Sequence, residues 1–297
     1  MNNTETSFRD KWERNENLAF AETLRENSDI QNWILNRNGW KSSHDLKAFL
    51  LKMSNVLDAG CGNGRVTALL SRFAREDASV VGLDLAAWRV AQENLKAYTN
   101  VVIHAGNLME NNSALGKFDF IYCQEVLHHT DNPEKCFQNL VLNNLSKGGC
   151  IAIYVYRKKA PIREFSDDLV REQISQLPYD EAMKFCDQIT SLGKTLSDLN
   201  LKIQVPAVDA LKIEAGEYDI QRFFYHYFMK CFWNNVFSFH DNSVINYDWF
   251  HPENCARYEP AEIRTWFAGA GLKVSHEFVD PYGITMHGIA PTTSEVL

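Results

Sequence analysis

The stretch Ser54–Thr67, SNVLDAGCGNGRVT, decides the fold of this chain of 297 residues. Val56 and Leu57 give it the apolar end of a buried strand, and Arg65–Ala74 has the spacing of an amphipathic helix. Between them, Asp58–Gly64 is a turn with glycines spaced G-x-G-x-G, which permit positive φ and bring a ligand close to the backbone. The helix N-terminus adds free N–H groups beside the turn. The stretch therefore predicts a nucleotide-binding βα unit.

The flanks of the turn distinguish between kinds of nucleotide site. A dinucleotide site usually reads G-x-G-x-x-G, with a third glycine inside the helix, and no such glycine follows Gly64. One carboxylate, Asp58, precedes the turn, and a second, Asp84, ends the next apolar run, VVGLDL. Asp84 lies 24 residues after Gly60 (84 minus 60), close to the ~20 expected for a carboxylate that binds ribose hydroxyls. The alternative is a glycine turn that merely joins a strand to a helix.

Composition and charge narrow the class of protein. Hydrophobic residues make up 45% of the chain and charged residues 23%, as in ordinary globular proteins. The formal net charge of −8 argues against nucleic acid as the main partner, because neutralising phosphates needs a basic face. None of the seven cysteines has C-x-x-C spacing, so we expect neither a zinc nor a redox site and no metal. The polar start and the lack of a run of about 18 apolar residues lead us to expect a cytoplasmic protein without a membrane partner.

From Ser54 onward, strand and helix patterns alternate, which predicts an α/β fold with a parallel, doubly wound sheet. The predicted strands are 54–60, 79–85, 100–107, 118–124, 150–156, 272–280 and 284–290. Helices are predicted over 86–98, 133–145 and 261–270, the second of them opened by the capping sequence Asp131-Asn132-Pro133.

Two other regions read as helical. Residues 1–53 are amphipathic, with a break at Asn38-Gly39, and form a predicted N-terminal segment. Residues 157–246 contain no convincing parallel strand and are predicted to be a helical insertion after the fifth strand. The core domain then comprises 54–156 and 247–297. The insertion ends in an aromatic-rich part, which predicts either a packed helical core or an aromatic wall for a substrate pocket or a dimer interface.

The motifs VLDAGCGNGRVT and VVGLDLAAWRVAQENL resemble the first motif and the second strand and helix of class I S-adenosylmethionine-dependent methyltransferases. VLHHTDNPEKCFQNL, IYVYRK and YDWFHPENCARYEPAEIRTWFAGAGL further resemble a type-11-like subgroup of that class, with a helical insertion after strand five. The resemblance implies a Rossmann-like, seven-stranded sheet whose last strand is antiparallel. It also implies that the N-terminal segment caps the cofactor site and that the insertion is a substrate cap.

The same resemblance implies a binding role for eleven residues toward S-adenosyl-L-methionine. The methionine part is expected along Asp58, Ala59, Gly60, Gly62 and Gly64, with its amine beside the backbone of Cys123 and Gln124. Asp84 is expected to accept the ribose hydroxyls, and Leu85, Asn107 and Leu108 to contact the adenine. Asn107 stands where the family usually has an aspartate, and it could instead be a turn residue that bonds its own backbone.

Methyl transfer from a sulfonium needs alignment of donor and acceptor, and a base only when the acceptor must lose a proton. The segment EVLHHTDNP lacks the [DN]-P-P-[YF] pattern of methyltransferases that act on exocyclic amines or on glutamine. Its Glu125, His128 and His129 lie at the carboxyl edge of the predicted sheet, so they are the candidate catalytic residues. The alternative for each histidine is that it caps the next helix or packs on the cofactor.

Candidates for acceptor binding lie at the end of strand five and after the insertion. They are Tyr156, Arg157, Tyr247, Trp249, His251, Arg257 and Tyr258. Trp249 and Tyr258 could instead anchor the insertion onto the core.

These observations lead us to expect a methyltransferase that acts on an oxygen or nitrogen of a small molecule, either a specialised metabolite or a sugar or lipid intermediate. Two alternatives keep the fold. The enzyme could transfer another group from a sulfonium nucleotide, or the chain could be a non-catalytic, cofactor-binding partner subunit. A homodimer is left open.

Overall fold

The computed structural model describes residues 3–292, and within them the chain divides into two compact units. The sheet unit comprises Trp12–Arg157 and the segment that begins at Ala256. The helical unit comprises Lys158–Cys255 and the segment that ends at Lys11. These divisions differ from the predicted domain bounds in two places. Residues 247–255 group with the helical unit rather than with the core, and the predicted N-terminal segment 1–53 is divided between Lys11 and Trp12.

Nine strands are found among the described residues. In chain order they are β1 (Asn55–Ala59), β2 (Ser79–Asp84), β3 (Val101–Ala105), β4 (Phe118–Gln124), β5 (Leu145–Tyr156), β6 (Lys202–Val205), β7 (Gly216–Asp219), β8 (Lys273–Val279) and β9 (Gly283–Ile289). The sheet unit holds seven of them in the order β3-β2-β1-β4-β5-β9-β8. Strands β1 to β5 pair in parallel, and β9 is antiparallel to both of its neighbours, β5 and β8. The predicted seven-stranded sheet with an antiparallel last strand is confirmed.

The sheet is apolar on both faces, as a parallel sheet must be when helices cover it. Successive residues of a strand point to opposite faces. Thus Leu57 and Ile121 belong to one hydrophobic cluster, and Val56 and Phe120 belong to the other. This double burial explains why the strands β1, β2, β4 and β5 are recognisable as short apolar runs.

Twelve α-helices occur in the described chain. They are α1 (Asn3–Arg14), α2 (Phe20–Leu24), α3 (Asp29–Arg37), α4 (Ser43–Leu50), α5 (Arg65–Phe73), α6 (Trp88–Asn94), α7 (Pro133–Asn139), α8 (Pro161–Ile174), α9 (Tyr179–Asp198), α10 (Ile220–Tyr227), α11 (Phe239–Phe250) and α12 (Pro260–Gly269). The predicted capping sequence is confirmed, because the Asn132 side chain accepts from the Lys135 N–H and α7 begins at Pro133. The predicted break in the N-terminal segment is confirmed at Gly39, whose φ is +74°.

Two helices are shorter than the sequence predicts. α7 stops at Asn139 and gives way to a short π-helix, Leu140–Asn144, after which β5 starts at Leu145, five residues before its predicted start. α6 covers only Trp88–Asn94 of the predicted 86–98, and the N–H groups of Ala86 and Ala87 before it donate to Asp84.

The helical unit contains one feature that the sequence analysis missed. β6 and β7 pair antiparallel, with Lys202 opposite Asp219. The prediction that this region is purely helical is therefore wrong at these two strands. Each has only four residues, which is too short for a period of two to stand out.

Candidate functional site

The glycine turn after β1 has the conformation that its sequence predicts. Gly60, Gly62 and Gly64 have φ values of +84°, +55° and +84°. The Gly60 N–H donates to the Leu83 carbonyl oxygen at 2.7 Å, which ties the turn to the end of β2. A Cβ at Gly60 would lie 2.3 Å from the Val126 side chain, so no other residue fits there without rearrangement. The turn is a fixed backbone surface at the carboxyl edge of the sheet.

Asp84 organises the loops on both sides of this edge. Its Oδ2 accepts from the Gly62 N–H at 2.9 Å, and its Oδ1 accepts from the N–H groups of Ala86 at 2.9 Å and Ala87 at 2.7 Å. Burial raises the pKa of Asp84, and the three backbone donors oppose that rise. A carboxylate offers about four lone-pair sites, so one site is left for a ligand hydroxyl. Leu85, beside it, is 44% exposed, an apolar side chain open to a planar ligand.

Asp58 is a buried residue of β1, close to the start of the glycine turn. Its carboxyl group is buried and accepts a 2.6 Å hydrogen bond from the Thr67 hydroxyl, which joins the end of β1 to α5. Burial raises the pKa of Asp58 to about 7, and the Thr67 hydrogen bond opposes the rise. Ala59 is fully buried beside it. Thr67 was not singled out from the sequence, although its place in the first turn of α5 carried the signal.

Asn107 takes the turn geometry that the sequence analysis considered as its alternative. Its Oδ1 accepts from the Met109 N–H at 2.9 Å, two residues further on. Leu108 is buried in the core, and its carbonyl oxygen accepts from the Asn139 side chain at 2.9 Å. One lone pair of the Asn107 oxygen is therefore engaged locally, and the predicted adenine contact stays a prediction.

The end of β4 holds Cys123 and Gln124. Cys123 is fully buried, and burial raises the pKa of its thiol. The Gln124 side chain pairs with the Asn38 amide and accepts from the Tyr122 hydroxyl at 2.9 Å. Both side chains are thus engaged within the protein, which leaves the backbone at this strand end as the part that a ligand would meet.

Glu125, the residue after β4, has the left-handed φ of +64°. For a residue with a side chain this conformation costs free energy, and such strain gathers at functional sites. The Glu125 carboxylate lies 3.6 Å from the Arg65 guanidinium, so it is oriented toward the start of α5.

The two histidines lie in a short 3₁₀ turn, Leu127–His129, directly after Glu125. His128 is fully buried and its ring centroid lies 3.7 Å from that of Tyr156, while His129 is 7% exposed. The His128 carbonyl oxygen accepts from the Ala256 N–H at 2.8 Å. The structure therefore brings the candidate residues Glu125, His128, His129 and Tyr156 to one edge of the sheet.

Four of the predicted acceptor residues lie in the sheet unit. The Tyr258 N–H donates to the Tyr156 carbonyl oxygen at 2.9 Å, and Arg157 forms a parallel bridge with Tyr258. Burial raises the pKa of Tyr258 to about 12. Arg257, the residue before Tyr258, is partly buried. These residues extend β5 at the edge that carries the histidines.

The other three predicted acceptor residues lie in the helical unit. Trp249 is 2% exposed, and its Nε1–H donates to Asp167 Oδ2 at 2.8 Å. Tyr247 is fully buried and stacks on His251, with ring centroids 4.4 Å apart. His251 Nδ1 lies 2.7 Å from the Ser7 hydroxyl oxygen, and burial lowers the pKa of this imidazole. These contacts agree with the anchoring alternative for Trp249, and its predicted acceptor contact remains a prediction.

Two further residues that the sequence analysis did not assign lie close to the turn and the sheet edge. The Trp12 ring is 3.0 Å from where a Cβ of Gly62 would be, so it covers the glycine turn. Arg37, at the end of α3, stacks on Tyr154 of β5. In the described part of the chain, no group of three metal-ligating side chains comes together, and no helix has the length and apolar character to cross a membrane.

Comparison with known proteins gives consistent matches. Residues 50–201, just over half of the chain, match the family described as a methyltransferase domain. A ubiquinone biosynthesis O-methyltransferase of Sodalis glossinidius is 39% identical over 83 residues, which are 27% of this chain and 32% of that protein. A trans-aconitate 2-methyltransferase of Deinococcus radiodurans is 30% identical over 116 residues, which are 38% of this chain and 43% of that protein.

These matches span about a third to two fifths of the two relatives' own length. Among solved structures, PKMT2 from Rickettsia typhi aligns with a TM-score of 0.54 and 15% identity, over 81% of this chain and 50% of that chain. At this identity the structural match supports the fold alone.

Proposed function

The chain belongs to the methyltransferase domain family, whose cofactor is S-adenosyl-L-methionine, and from this we propose that it transfers a methyl group from that cofactor to an oxygen or nitrogen of a small molecule. The observation that carries the proposal is the arrangement of the Asp84 carboxylate. Its carboxylate, held by three backbone N–H groups beside a turn of positive-φ glycines, keeps acceptor capacity for a sugar hydroxyl.

The residues of the glycine turn fit the cofactor. The backbone approach that a ligand needs is supported by Gly60, where a side chain would clash with Val126. Asp84 would bind the ribose, and the exposed Leu85 would lie against the adenine. Asp58 would act on the methionine part through its place below the turn. When bound, S-adenosyl-L-methionine supplies a methyl group that its sulfonium charge has already activated.

The chain's own contribution would be binding, orientation and proton removal. An oxygen acceptor such as a hydroxyl must lose a proton, and Glu125, His128 and His129 lie together at the sheet edge for that task. His129 is the more open of the two histidines, so we assign it the base and assign His128, packed on Tyr156, to positioning. Tyr156, Arg157, Arg257 and Tyr258 would contact the acceptor from the same edge. Exclusion of water from this edge would further favour the displacement.

An oxygen acceptor is favoured over nitrogen by the names of the relatives, one of which is an O-methyltransferase. A specialised metabolite or a sugar or lipid intermediate is our proposed acceptor class. We also propose a cytoplasmic location, since all seven cysteines are free thiols buried in the protein.

The test is transfer of a label. Purified protein is incubated with S-adenosylmethionine that carries a trideuteromethyl group and with a small-molecule extract, and products are identified by mass spectrometry and NMR. We expect the label on an oxygen of a small molecule, with formation of S-adenosylhomocysteine. Transfer of a different group, or label only on macromolecules, would contradict the proposal.

A further inference from the structure

Arg37 is a buried cation with unused hydrogen-bond donors. The residue is 2% exposed, and its Nε, Nη1 and Nη2 atoms have no hydrogen-bond acceptor among residues 3–292. Its Cζ lies 3.3 Å from the ring centroid of Trp33 and 3.5 Å from that of Tyr154. Both faces of the guanidinium are thus covered by aromatic rings, while its five N–H groups point outward in its own plane.

The side chain of the next residue, Asn38, is fully hydrogen-bonded, in contrast to that of Arg37. Asn38, the next residue, donates to the Ile34 carbonyl oxygen at 2.8 Å and pairs with the Gln124 amide. Its Oδ1 also lies 2.8 Å from His287 Nε2. Because buried polar groups in native proteins almost always have partners, an unsatisfied guanidinium beside a complete network needs a specific explanation.

Among residues 3–292, no nearby carboxylate supplies the missing acceptor. Glu125 is paired with Arg65 at 3.6 Å. Asp280 accepts from the N–H groups of Tyr282 at 2.7 Å and Gly283 at 2.8 Å. Burial lowers the pKa of His287 to about 3, so that ring is neutral and provides no counter-charge.

A second unsatisfied group lies on β9, opposite the residue whose ring Arg37 covers. Thr285 is the cross-strand partner of Tyr154, the ring on which Arg37 stacks. It is 1% exposed, and its hydroxyl also has no hydrogen-bond partner in the part of the chain that the structure describes. A guanidinium and a hydroxyl together offer donors to an anionic oxygen group, which suits a planar carboxylate best.

The position of this pair is at the ligand-binding edge of the sheet. Tyr154 pairs with Gln124, the last residue of β4, and ligands of open α/β sheets bind at the carboxyl ends of the strands. We propose that Arg37, with Thr285 as a second donor, binds a carboxylate group of a ligand at this edge. The inference rests on the proposed function, and the carboxylate is that of the cofactor's methionine or one carried by the acceptor. Because the three nitrogens are closed to solvent, its entry requires a rotation of Arg37 or a shift of α3.

The experiment compares Arg37→Met with Arg37→Lys and with the control Arg25→Met, whose side chain is 62% exposed. Calorimetry measures the affinity for S-adenosylhomocysteine and for 5′-methylthioadenosine, which lacks the amino-acid carboxylate. Melting temperature is measured for the ligand-free proteins and, at saturating S-adenosylhomocysteine, with added benzoate or acetate. If the cofactor is the source, Arg37→Met weakens S-adenosylhomocysteine by about 10- to 100-fold and leaves 5′-methylthioadenosine unchanged.

If the acceptor is the source, both nucleotides bind Arg37→Met normally, but the stabilisation of the wild type by benzoate or acetate is lost. In either case Arg37→Lys retains part of the effect, and Arg37→Met melts no lower than the wild type, because an uncompensated buried charge has been removed. A lower melting temperature with unchanged binding of all four probes would overturn the proposal. Failure of the wild type to bind S-adenosylhomocysteine would instead overturn the proposed function.

Discussion

Replacing Asp84 by alanine tests the cofactor site at the residue on which the proposal depends. The carboxylate accepts three backbone N–H groups and keeps about one lone-pair site for a ribose hydroxyl. Loss of one charge-assisted hydrogen bond is worth roughly 1.5–3 kcal/mol, so the Kd for S-adenosylhomocysteine should rise about 10- to 150-fold. Loss of the three backbone contacts should also lower stability by about 1–3 kcal/mol, since it leaves the buried N–H groups of Gly62 and Ala87 without their acceptor.

Asp84→Asn separates the two effects. The asparagine keeps an oxygen for the Ala86 and Ala87 N–H groups, but it removes the charge and places an amide N–H against the N–H of Gly62. The affinity of Asp84→Asn for S-adenosylhomocysteine should therefore lie between that of the wild type and that of Asp84→Ala. Asp77→Asn is the matched control, because that carboxylate is exposed and forms its ion pair with Arg75, away from the glycine turn in sequence. Calorimetry with S-adenosylhomocysteine and melting curves on the same samples give both numbers. A Kd for Asp84→Ala within threefold of the wild type would refute the ribose role.

The other predictions concern proton transfer, pH and the aromatic anchors. His129→Ala should lower turnover by about 10²–10⁴ at unchanged cofactor affinity, and His128→Ala should act mainly on stability; equal, mild kinetic effects would show that no base is used. The folded-state pKa of Asp58 is raised to about 7 from its ordinary 3.8, so the folded protein holds this proton more tightly than the unfolded chain does. The stability that this proton contributes should therefore be lost as the pH rises from about 4 to 7. Asp58→Asn should flatten the fall in melting temperature over that window, and parallel plots of melting temperature against pH for the variant and the wild type would contradict the raised pKa. Trp249→Ala should cost about 3–5 kcal/mol of stability with normal kinetics per folded molecule, whereas Tyr258→Phe should raise the acceptor's KM at nearly normal stability; the reverse pattern would exchange their roles.

The parts of the fold that the sequence predicted are those with local signals. The strand at Val56–Leu57, the positive-φ glycines and the carboxylate at Asp84 are each encoded within a few residues. Double burial makes β1, β2, β4 and β5 apolar runs, and the capping residue Asn132 predicts the start of α7. β6 and β7 were missed because each is four residues long.

The details of the site depend on contacts between distant residues, which one sequence does not reveal. Arg37 gave no signal at the end of an amphipathic N-terminal helix, because one of its two aromatic partners, Tyr154, lies in β5. Trp249 could be assigned to a pocket or to an anchor, and its partner, Asp167, is 82 residues away. Asp84 was predicted as a ligand for ribose, whereas its bonds to Gly62, Ala86 and Ala87 required the folded turn.

Hydrogen exchange of the wild-type protein with and without S-adenosylhomocysteine tests the central claim most directly, because it reports where the cofactor binds without requiring the acceptor. The account predicts slower exchange in peptides that cover residues 59–65 and 84–87, the glycine turn and the loop after β2. Saturable binding that leaves exchange in both segments unchanged while protecting others would contradict it.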